Sequence, residues 1–151
     1  MEPLKGKVLS ISISEEKGMK KRNVRSARLI ENFGLEKDAH AGDWERQVSL
    51  LPYESFKKLD EDLENLHPGD FAENITTQGI DLSSLKIGDR IRIGQEILLE
   101  VTQIGKECHE ACTIKELVGD CIMPREGVFT KVVRGGMVEV GEEIIPPEKD
   151  Y

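Results

Sequence analysis

The sequence predicts a mainly β fold, most simply a β-barrel with a few short helices. Apolar and polar residues alternate in several short runs, a period of two that is typical of half-buried strands. Glycine-bearing turns separate these runs in the second half of the chain, and a single stretch keeps helical spacing over several turns. A chain of many short strands has to limit its exposed sheet edges, and closure into a barrel does so.

Several runs have the pattern of strands. The first of them has apolar side chains at Val8, Ile11 and Ile13. Gly94 follows an alternating run and begins a predicted tight turn into the next one, and the glycine pair at residues 135–136 predicts a β-hairpin. The predicted strands are residues 6–14, 46–51, 89–94, 96–104, 128–133 and 137–145.

Residues 52–66 carry the strongest helical pattern, because apolar side chains recur there at intervals of three and four. Pro52 is tolerated in the first turn of such a helix. A shorter helix is predicted at residues 27–33, ending at Gly34, since its apolar residues keep similar spacing. Residues 15–25 are polar and basic and predict a loop.

Composition excludes some classes of partner. The chain of 151 residues suits one domain, predicted at residues 1–151, and its net charge of −8 argues against a duplex nucleic-acid partner, because phosphate binding requires an excess of Lys and Arg. No membrane partner is expected, since no run approaches the roughly 20 apolar residues that cross a bilayer. The N-terminus has the pattern of a strand rather than of an export signal. A cytoplasmic location is therefore expected, where thiols stay reduced.

All three cysteines fall within GKECHEACTIKELVGDC, residues 105–121. Cys108, His109, Cys112 and Cys121 offer four zinc ligands, although adjacent residues such as Cys108 and His109 rarely converge on one ion. Cys108 and Cys112 could also form a redox pair, but three residues separate them where the familiar redox motif has two. The simplest interpretation of Cys121 is a small buried apolar residue.

A reactive thiol at Cys112 is the third alternative. The sequence TIKE at residues 113–116 matches a capping box, in which Thr and Glu side chains satisfy backbone groups at a helix start. Cys112 would then lie beside a helix N-terminus, whose partial positive charge favours the thiolate. Lys106 and His109 would add positive charge, whereas Cys108 lacks the support of the cap.

Two further stretches are rich in polar groups that a scaffold could hold for binding. DAHAGDWERQVSLL covers residues 38–51 and GDFAENITTQGIDL covers residues 69–82. Polar loop residues often form binding sites, although each stretch can equally be a solvated turn. Arg134 at the predicted hairpin tip offers a guanidinium to an anion, with the same alternative. The polar side chains of the first stretch include His40, Asp43, Arg46 and Gln47, and those of the second include Glu73, Asn74, Thr76 and Thr77.

Several stretches, in this order along the chain, resemble the MOSC domain, the module named after the C-terminal region of molybdenum cofactor sulfurases. The similarity covers nearly the whole chain, to about residue 145, and looks like the small stand-alone prokaryotic type. It implies a MOSC-type β-barrel with a functional cysteine. The stretches that carry it are DAHAGDWERQVSLL, GDFAENITTQGIDL, IGDRIRIG, LEVTQIGKECHEAC and GDCIMPREGVFTKVVRGGMVEVGEEI.

The resemblance implies binding of the molybdenum cofactor, a molybdopterin, beside a cysteine that carries sulfur as a persulfide or ligates molybdenum. The family's cysteine follows a strand and a short basic stretch, which matches Cys112, with Cys108 as the second candidate. Cys112 is therefore the expected catalytic residue and metal ligand. The residues expected to hold the cofactor are His40, Arg46, Glu73, Asn74, Thr76, Lys106 and Arg134.

The resemblance also implies partners and alternatives. A cysteine desulfurase or a molybdoenzyme is the expected protein partner, and pyridoxal phosphate is not expected to bind this chain. Activity as a sulfur transferase or as part of a molybdenum-dependent reductase of N-hydroxylated compounds is one alternative. A non-catalytic chaperone that hands over the cofactor is another. Lys37 departs from the family pattern, which often has glycine there, and this puts the shape of that turn in question.

Overall fold

Strands dominate the described part of the chain, so the prediction of a mainly β fold is confirmed. The computed structural model describes residues 6–15, 21–39, 41–44, 46–58, 67–69, 73–104 and 127–147. Two short 3₁₀ helices accompany the strands in these ranges, Tyr53–Lys58 and Leu82–Ser84. The strands are β1 (Gly6–Ile13), β2 (Arg22–Val24), β3 (Ser26–Ile30), β4 (Gly34–Leu35), β5 (Val48–Pro52), β6 (Ile75–Gln78), β7 (Arg90–Ile93), β8 (Ile97–Ile104), β9 (Val128–Arg134), β10 (Gly136–Glu139) and β11 (Glu143–Ile145).

Seven strands close a barrel in the order β11–β7–β8–β9–β5–β6–β1, and β1 pairs again with β11. At this closing seam Gly6 pairs with Ile144 and Lys7 with Glu143. Neighbouring strands are antiparallel except for β5 and β6, which run parallel. β2 pairs with the far end of β1, and β10, β3 and β4 form a second, three-stranded sheet. The predicted barrel is therefore confirmed.

Aliphatic side chains line the barrel interior, because alternation along each strand turns every second residue inward. On β5 the inward residues include Val48 and Leu50, and on β8 they include Leu99 and Val101. At most 1% of each of these residues is exposed. Burial of one such side chain contributes about 1.5–3 kcal/mol. Since a slip of one residue would turn these side chains outward, the core fixes the register of the strands.

Strand β1 carries an irregular version of this pattern. Val8 and Ile11 are both fully buried, although a regular strand places residues three apart on opposite faces. The pairing of β1 with β6 shifts register between Val8 and Ser10, and this β-bulge restores the inward direction. The strand predicted at residues 6–14 is confirmed, and its uneven apolar spacing has a structural cause.

Two local predictions near the N-terminus are wrong. The helix predicted at residues 27–33 is replaced by strands β3 and β4, and Leu29 in β3 is 1% exposed with a paired residue on each side. Strand pairing on both sides outweighs a helical spacing of only three apolar residues. The loop predicted at residues 15–25 contains β2, in which Val24 pairs with Ile11.

The hairpin predicted at residues 135–136 is also wrong, because β9 does not turn back to pair with β10. β10 pairs instead with β3 in the second sheet. The Gly135 backbone passes so close to Leu29 that an added Cβ would lie 2.3 Å from the Leu29 carbonyl oxygen. The glycines therefore mark a crossing from the barrel to the second sheet, where close backbone approach excludes a side chain.

The remaining local predictions have mixed outcomes. The tight turn predicted at Gly94 is confirmed, with Ile93 paired to Ile97 across it. Of the strong helix predicted at residues 52–66, Pro52 belongs to β5 and Tyr53–Lys58 form a 3₁₀ helix, and residues 59–66 lie outside the described ranges. In the ranges that are described, no helix has the length and apolar character that crossing a membrane requires.

Lys37 adopts the left-handed backbone conformation, with φ of 70°. A non-glycine residue in that conformation costs about 1–2 kcal/mol, since Cβ crowds the following carbonyl. We expect Lys37→Val to lower the free energy of unfolding by about 1–2 kcal/mol, because β-branching worsens the crowding. Lys37→Gly should not lower it, because glycine has no Cβ. Urea unfolding measures both. Lys86→Val is the control at an exposed lysine without positive φ, and equal losses at both lysines would contradict the backbone interpretation.

Candidate functional site

Five residues form a continuous row across the outer wall of the barrel. Ser12, Ser49 and Phe129 alternate with core residues of their strands, so their side chains point away from the interior. Gln103 pairs directly with Phe129, and Asn74 immediately precedes β6. We name these residues the outer row, in spatial order Ser12, Asn74, Ser49, Phe129 and Gln103.

Backbone and side-chain contacts hold the outer row together. The Ser12 amide donates to the Asn74 carbonyl at 2.7 Å, and the Asn74 side-chain nitrogen donates to the Ser12 carbonyl at 3.2 Å. On the other side, the Ser49 amide donates to Asn74 Oδ1 at 3.0 Å. Ser49 then pairs with Phe129, which pairs with Gln103. Since strands lie about 4.8 Å apart, the row extends about 19 Å from β1 to β8.

A buried ion pair adjoins Asn74, the second member of the outer row. Lys21 Nζ lies 2.6 Å from Asp38 Oδ1, and both side chains are fully buried. The Asp38 carboxylate also accepts a hydrogen bond from the Ser14 amide at 3.0 Å and another from Asn74 Nδ2 at 3.0 Å. Asp38 therefore ties the polar stretch at residues 38–51 to β1 and to the start of β6.

The surroundings of this pair shift the pKa values of both groups. Burial by itself would raise the pKa of Asp38, but the Lys21 ammonium and the hydrogen bonds from Lys21, Asn74 and Ser14 hold it below its usual range. Burial lowers the pKa of Lys21, against the opposing attraction of Asp38 and Glu73. Because two of the three donors to Asp38 are uncharged, its carboxylate is stabilised by more than Lys21 alone.

Glu73, Asn74 and Thr76 are fully buried. Glu73 Oε2 accepts hydrogen bonds from the Thr76 hydroxyl at 2.7 Å and from the Gly69 amide at 3.0 Å. The structure thus brings these three candidates into an internal polar network, in which their side chains bond to the protein itself. Their assignment to a ligand remains a prediction.

Arg46 lies at the opposite end of the outer row. Its Nε donates to Gln103 Oε1 at 2.9 Å. Its guanidinium carbon is 5.2 Å from the ring centre of Phe129 and 6.0 Å from that of Trp44, distances typical of cation–π contacts. Its terminal nitrogens make no hydrogen bond to another residue in the described ranges, and their N–H groups have the planar geometry that suits an oxyanion.

Comparison with known protein families matches residues 37–145 to the MOSC domain. This chain belongs to the MOSC domain family. The match begins immediately before Asp38 and extends through β11, so it includes four members of the outer row, the stretch that carries Arg46 and the cysteine stretch. The family resemblance of the sequence is therefore confirmed.

Solved structures with the same fold accompany this MOSC match. The YuaD protein of Bacillus subtilis is similar with a TM-score of 0.75 at 19% identity, over 93% of this chain and 94% of that one. YiiM from Geobacillus stearothermophilus has a TM-score of 0.72 at 20% identity, over 95% and 75%. YiiM from Escherichia coli has a TM-score of 0.66 at 19% identity, over 95% and 71%. At these identities the likeness shows the fold alone, and comparison with curated proteins gives no match.

The cysteine stretch of this MOSC protein connects to the Gln103 end of the outer row. Residues 105–126 join β8 to β9, and the flanking residues Ile104 and Val128 pair with each other, next to the Gln103–Phe129 pair. Several predicted site residues lie outside the described ranges, so their roles stay predictions. They are His40, Lys106, Cys108 and Cys112.

Arg134 stands apart from the other candidates of the MOSC chain. It is exposed at the end of β9, where it pairs with Leu98. Phe129 lies five residues earlier on the same strand, a separation of about 17 Å. The structure therefore does not bring Arg134 together with the Gln103 end of the outer row.

A cavity of about 650 Å³ lies on another part of the barrel, against Gly94, Glu96, Met137 and Glu142. None of the predicted site residues that lie in the described ranges lines it. Among the residues that the structure describes, no group of His, Cys, Asp and Glu side chains is placed to hold a metal ion. The outer row, rather than this cavity, is therefore the candidate site.

Sequence reasoning missed two residues that organise this MOSC site. Lys21 follows other basic residues in the stretch predicted as a loop, and nothing in its local sequence distinguishes a buried lysine from a solvated one. Simple alternation along its strand would direct Gln103 into the barrel. The sequence pattern therefore gave no signal that Gln103 contacts Arg46. Both assignments depend on contacts between residues far apart in the chain.

Proposed function

We propose that this MOSC protein binds the molybdenum cofactor, or its pterin precursor, and presents Cys112 to it. The outer row is the observation that carries the proposal. It links both polar stretches that resemble the family's motifs to the Gln103–Phe129 pair, next to which the cysteine stretch begins and ends. Membership of the MOSC family, which is associated with this cofactor, supports the identity of the ligand.

The residues of the outer wall fit an anionic, polar ligand. Arg46 would hold the phosphate of the cofactor, since a guanidinium can bind phosphate oxygens through two parallel hydrogen bonds. The buried Asp38–Asn74 contacts would keep the wall rigid beneath it. The bound cofactor would supply a metal and sulfur centre that accepts a soft thiolate.

Cys112 would act in one of two ways, with Cys108 as the second candidate for the same role. As a sulfur carrier, its thiolate takes the outer sulfur of a donor persulfide, and the donor leaves as a thiolate. As a ligand, the thiolate binds molybdenum directly. We propose a cysteine desulfurase as sulfur donor or a molybdoenzyme as recipient of the cofactor, in the cytoplasm.

Metal and pterin content test the proposal directly. Wild-type protein purified from molybdenum-replete cells is expected to contain molybdenum and pterin, measured by elemental analysis and by the fluorescence of the oxidised pterin. In the ligand version, Cys112→Ala should lose most of its molybdenum because the thiolate is gone, whereas Cys121→Ala keeps it. In the carrier version, alkylation and mass spectrometry after incubation with a sulfur donor should find added sulfur on Cys112.

Each contrary result has a defined meaning. Absence of pterin from the wild type would contradict the proposal. Equal loading in wild type and Cys112→Ala, combined with loss in Arg46→Ala, would indicate a non-catalytic chaperone. Reduction of N-hydroxylated compounds with an added electron donor would indicate a reductase component. Stoichiometric zinc whose removal abolishes cooperative unfolding would indicate a structural zinc site.

A further inference from the structure

Strand β8 contains a β-bulge beside Arg46. Val101 pairs with Thr130, and Gln103 pairs with Phe129, so Thr102 is the extra residue at which the register of β8 against β9 shifts. The Thr102 hydroxyl donates to the Phe129 carbonyl oxygen at 3.1 Å, which holds the extra residue against the partner strand. Bulges of this kind turn the side chains that follow them towards a new face of the sheet.

The bulge reverses the direction in which Gln103 points. Ile97, Leu99 and Val101 belong to the barrel core, so regular alternation would direct Gln103 into the same core. After the extra residue, Gln103 shares the outer face with Phe129, its direct partner. There its side-chain oxygen accepts the Nε hydrogen of Arg46 at 2.9 Å.

Within the described ranges, the contacts of Arg46 leave one edge of its guanidinium without a hydrogen bond. The Gln103 side-chain oxygen accepts the Nε hydrogen of Arg46. The guanidinium carbon lies 5.2 Å from the ring centre of Phe129 and 6.0 Å from that of Trp44. The Arg46 side chain is therefore held by the hydrogen bond at its Nε edge and by contacts with two aromatic rings. The two terminal nitrogens, which make no hydrogen bond within the described ranges, form a flat pair of donors suited to an oxyanion.

We propose that Gln103, placed by the Thr102 bulge, is a positioning residue that orients Arg46 to bind the oxyanion group of the ligand. The inference rests on the proposed function for the identity of the full ligand, but its geometry concerns only residues 44, 46, 102–103 and 129. Gln103 acts through Arg46, because its hydrogen bond already restricts the guanidinium to few orientations before the oxyanion binds. Less conformational entropy is then lost on binding, and this pre-organisation strengthens binding of the oxyanion.

Inorganic phosphate is the probe, because it reports the oxyanion site without any pterin. Phosphate titration followed by nuclear magnetic resonance of the Arg46 Nε–H group should show binding in the wild type and none in Arg46→Ala. Gln103→Met keeps the length of the side chain but removes the acceptor. We expect it to weaken phosphate binding about 3- to 10-fold and to speed exchange of the Arg46 Nε hydrogen with water.

Matched variants separate positioning from general damage. Gln95→Met makes the same change at an exposed turn and should alter neither readout. Gln103→Glu keeps an acceptor, so the Arg46 Nε hydrogen should stay protected while the added negative charge weakens phosphate binding. The proposal is overturned if phosphate does not bind the wild type, or if Gln103→Met leaves hydrogen exchange and phosphate affinity unchanged. A wild type without pterin would contradict the proposed function and leave these readouts intact.

Discussion

Replacement of Asp38 by alanine is expected to lower the free energy of unfolding by about 3–5 kcal/mol, because the substitution leaves the Lys21 charge buried without its partner. Both side chains of the pair are fully buried at a separation of 2.6 Å. The Ser14 amide and the Asn74 side-chain amide lose their acceptor at the same time. Urea unfolding at neutral pH, followed by circular dichroism, measures the loss.

The exposed pair of Arg90 and Glu100 provides the control. Their atoms are 3.2 Å apart, but the two side chains are 55% and 22% exposed. Arg90→Ala should therefore cost less than about 1 kcal/mol, since water screens an exposed pair. Similar losses in Asp38→Ala and Arg90→Ala would contradict the conclusion that burial makes the Lys21–Asp38 pair indispensable.

Acid should remove the contribution of Asp38 in the wild type. The pKa of Asp38 is lower in the folded state than in the unfolded chain, where an aspartate titrates near about 3.9. The corresponding stability is fully present above the unfolded value and is lost as the pH falls through the lowered folded value. Asp38→Asn removes the titrating group, so its unfolding free energy should depend less steeply on pH in that acidic window.

The strands of the barrel could be predicted because local pattern and tertiary structure agree there. On β7, inward isoleucines alternate with outward arginines, and Gly94 supplies the turn into β8. The second sheet could not be predicted in the same way. Leu29 lies in a strand because β10 and β4 pair with β3 on either side, and nothing within residues 27–33 encodes those partners.

The candidate site shows the same division between local and long-range information. Motif resemblance selected Arg46 and Asn74 from the sequence. In the structure Asn74 is the second member of the outer row, and Arg46 contacts Gln103 at its far end. Lys21 and Gln103 were missed, because the partner of each is supplied by a distant segment of the chain. Burial of a lysine, and reversal of the direction of a side chain by a bulge, are properties of the assembled barrel.

Replacement of Asn74 by the isosteric aspartate is expected to lower the free energy of unfolding strongly. Its Nδ2 donates to Asp38 Oδ2 at 3.0 Å and to the Ser12 carbonyl at 3.2 Å, while its Oδ1 accepts from the Ser49 amide at 3.0 Å. The Ser49 amide is a donor, so the orientation of the Asn74 amide is determined. Asn74→Asp would set a second buried carboxylate against Asp38, and we expect a loss of about 4 kcal/mol or more at neutral pH.

The pH dependence of Asn74→Asp distinguishes this cause from a simple loss of packing. The introduced carboxyl group has a raised pKa in the folded state, because burial and Asp38 both oppose its charge. Once protonated, it can donate to Asp38 as the amide does. The cost of the buried charge therefore disappears as the pH falls below that raised pKa. The stability of Asn74→Asp should accordingly increase as the pH is lowered from about 7 to about 5. The wild type has no corresponding gain, since the folded-state pKa of Asp38 is lowered.

Asn23→Asp is the matched control for the change of an amide to a carboxyl group. Asn23 is exposed, and its amide donates to the Ser12 hydroxyl at 2.8 Å and to the Pro68 carbonyl at 2.9 Å. Its carboxyl group would meet water, so it should cost about 1–2 kcal/mol and give no recovery between about pH 7 and pH 5. A flat pH profile for Asn74→Asp would mean that the new group does not face Asp38. In that case the contact that ties residues 38–51 to β6 would have to be reassigned, together with the direction of the outer row at its Asn74 end.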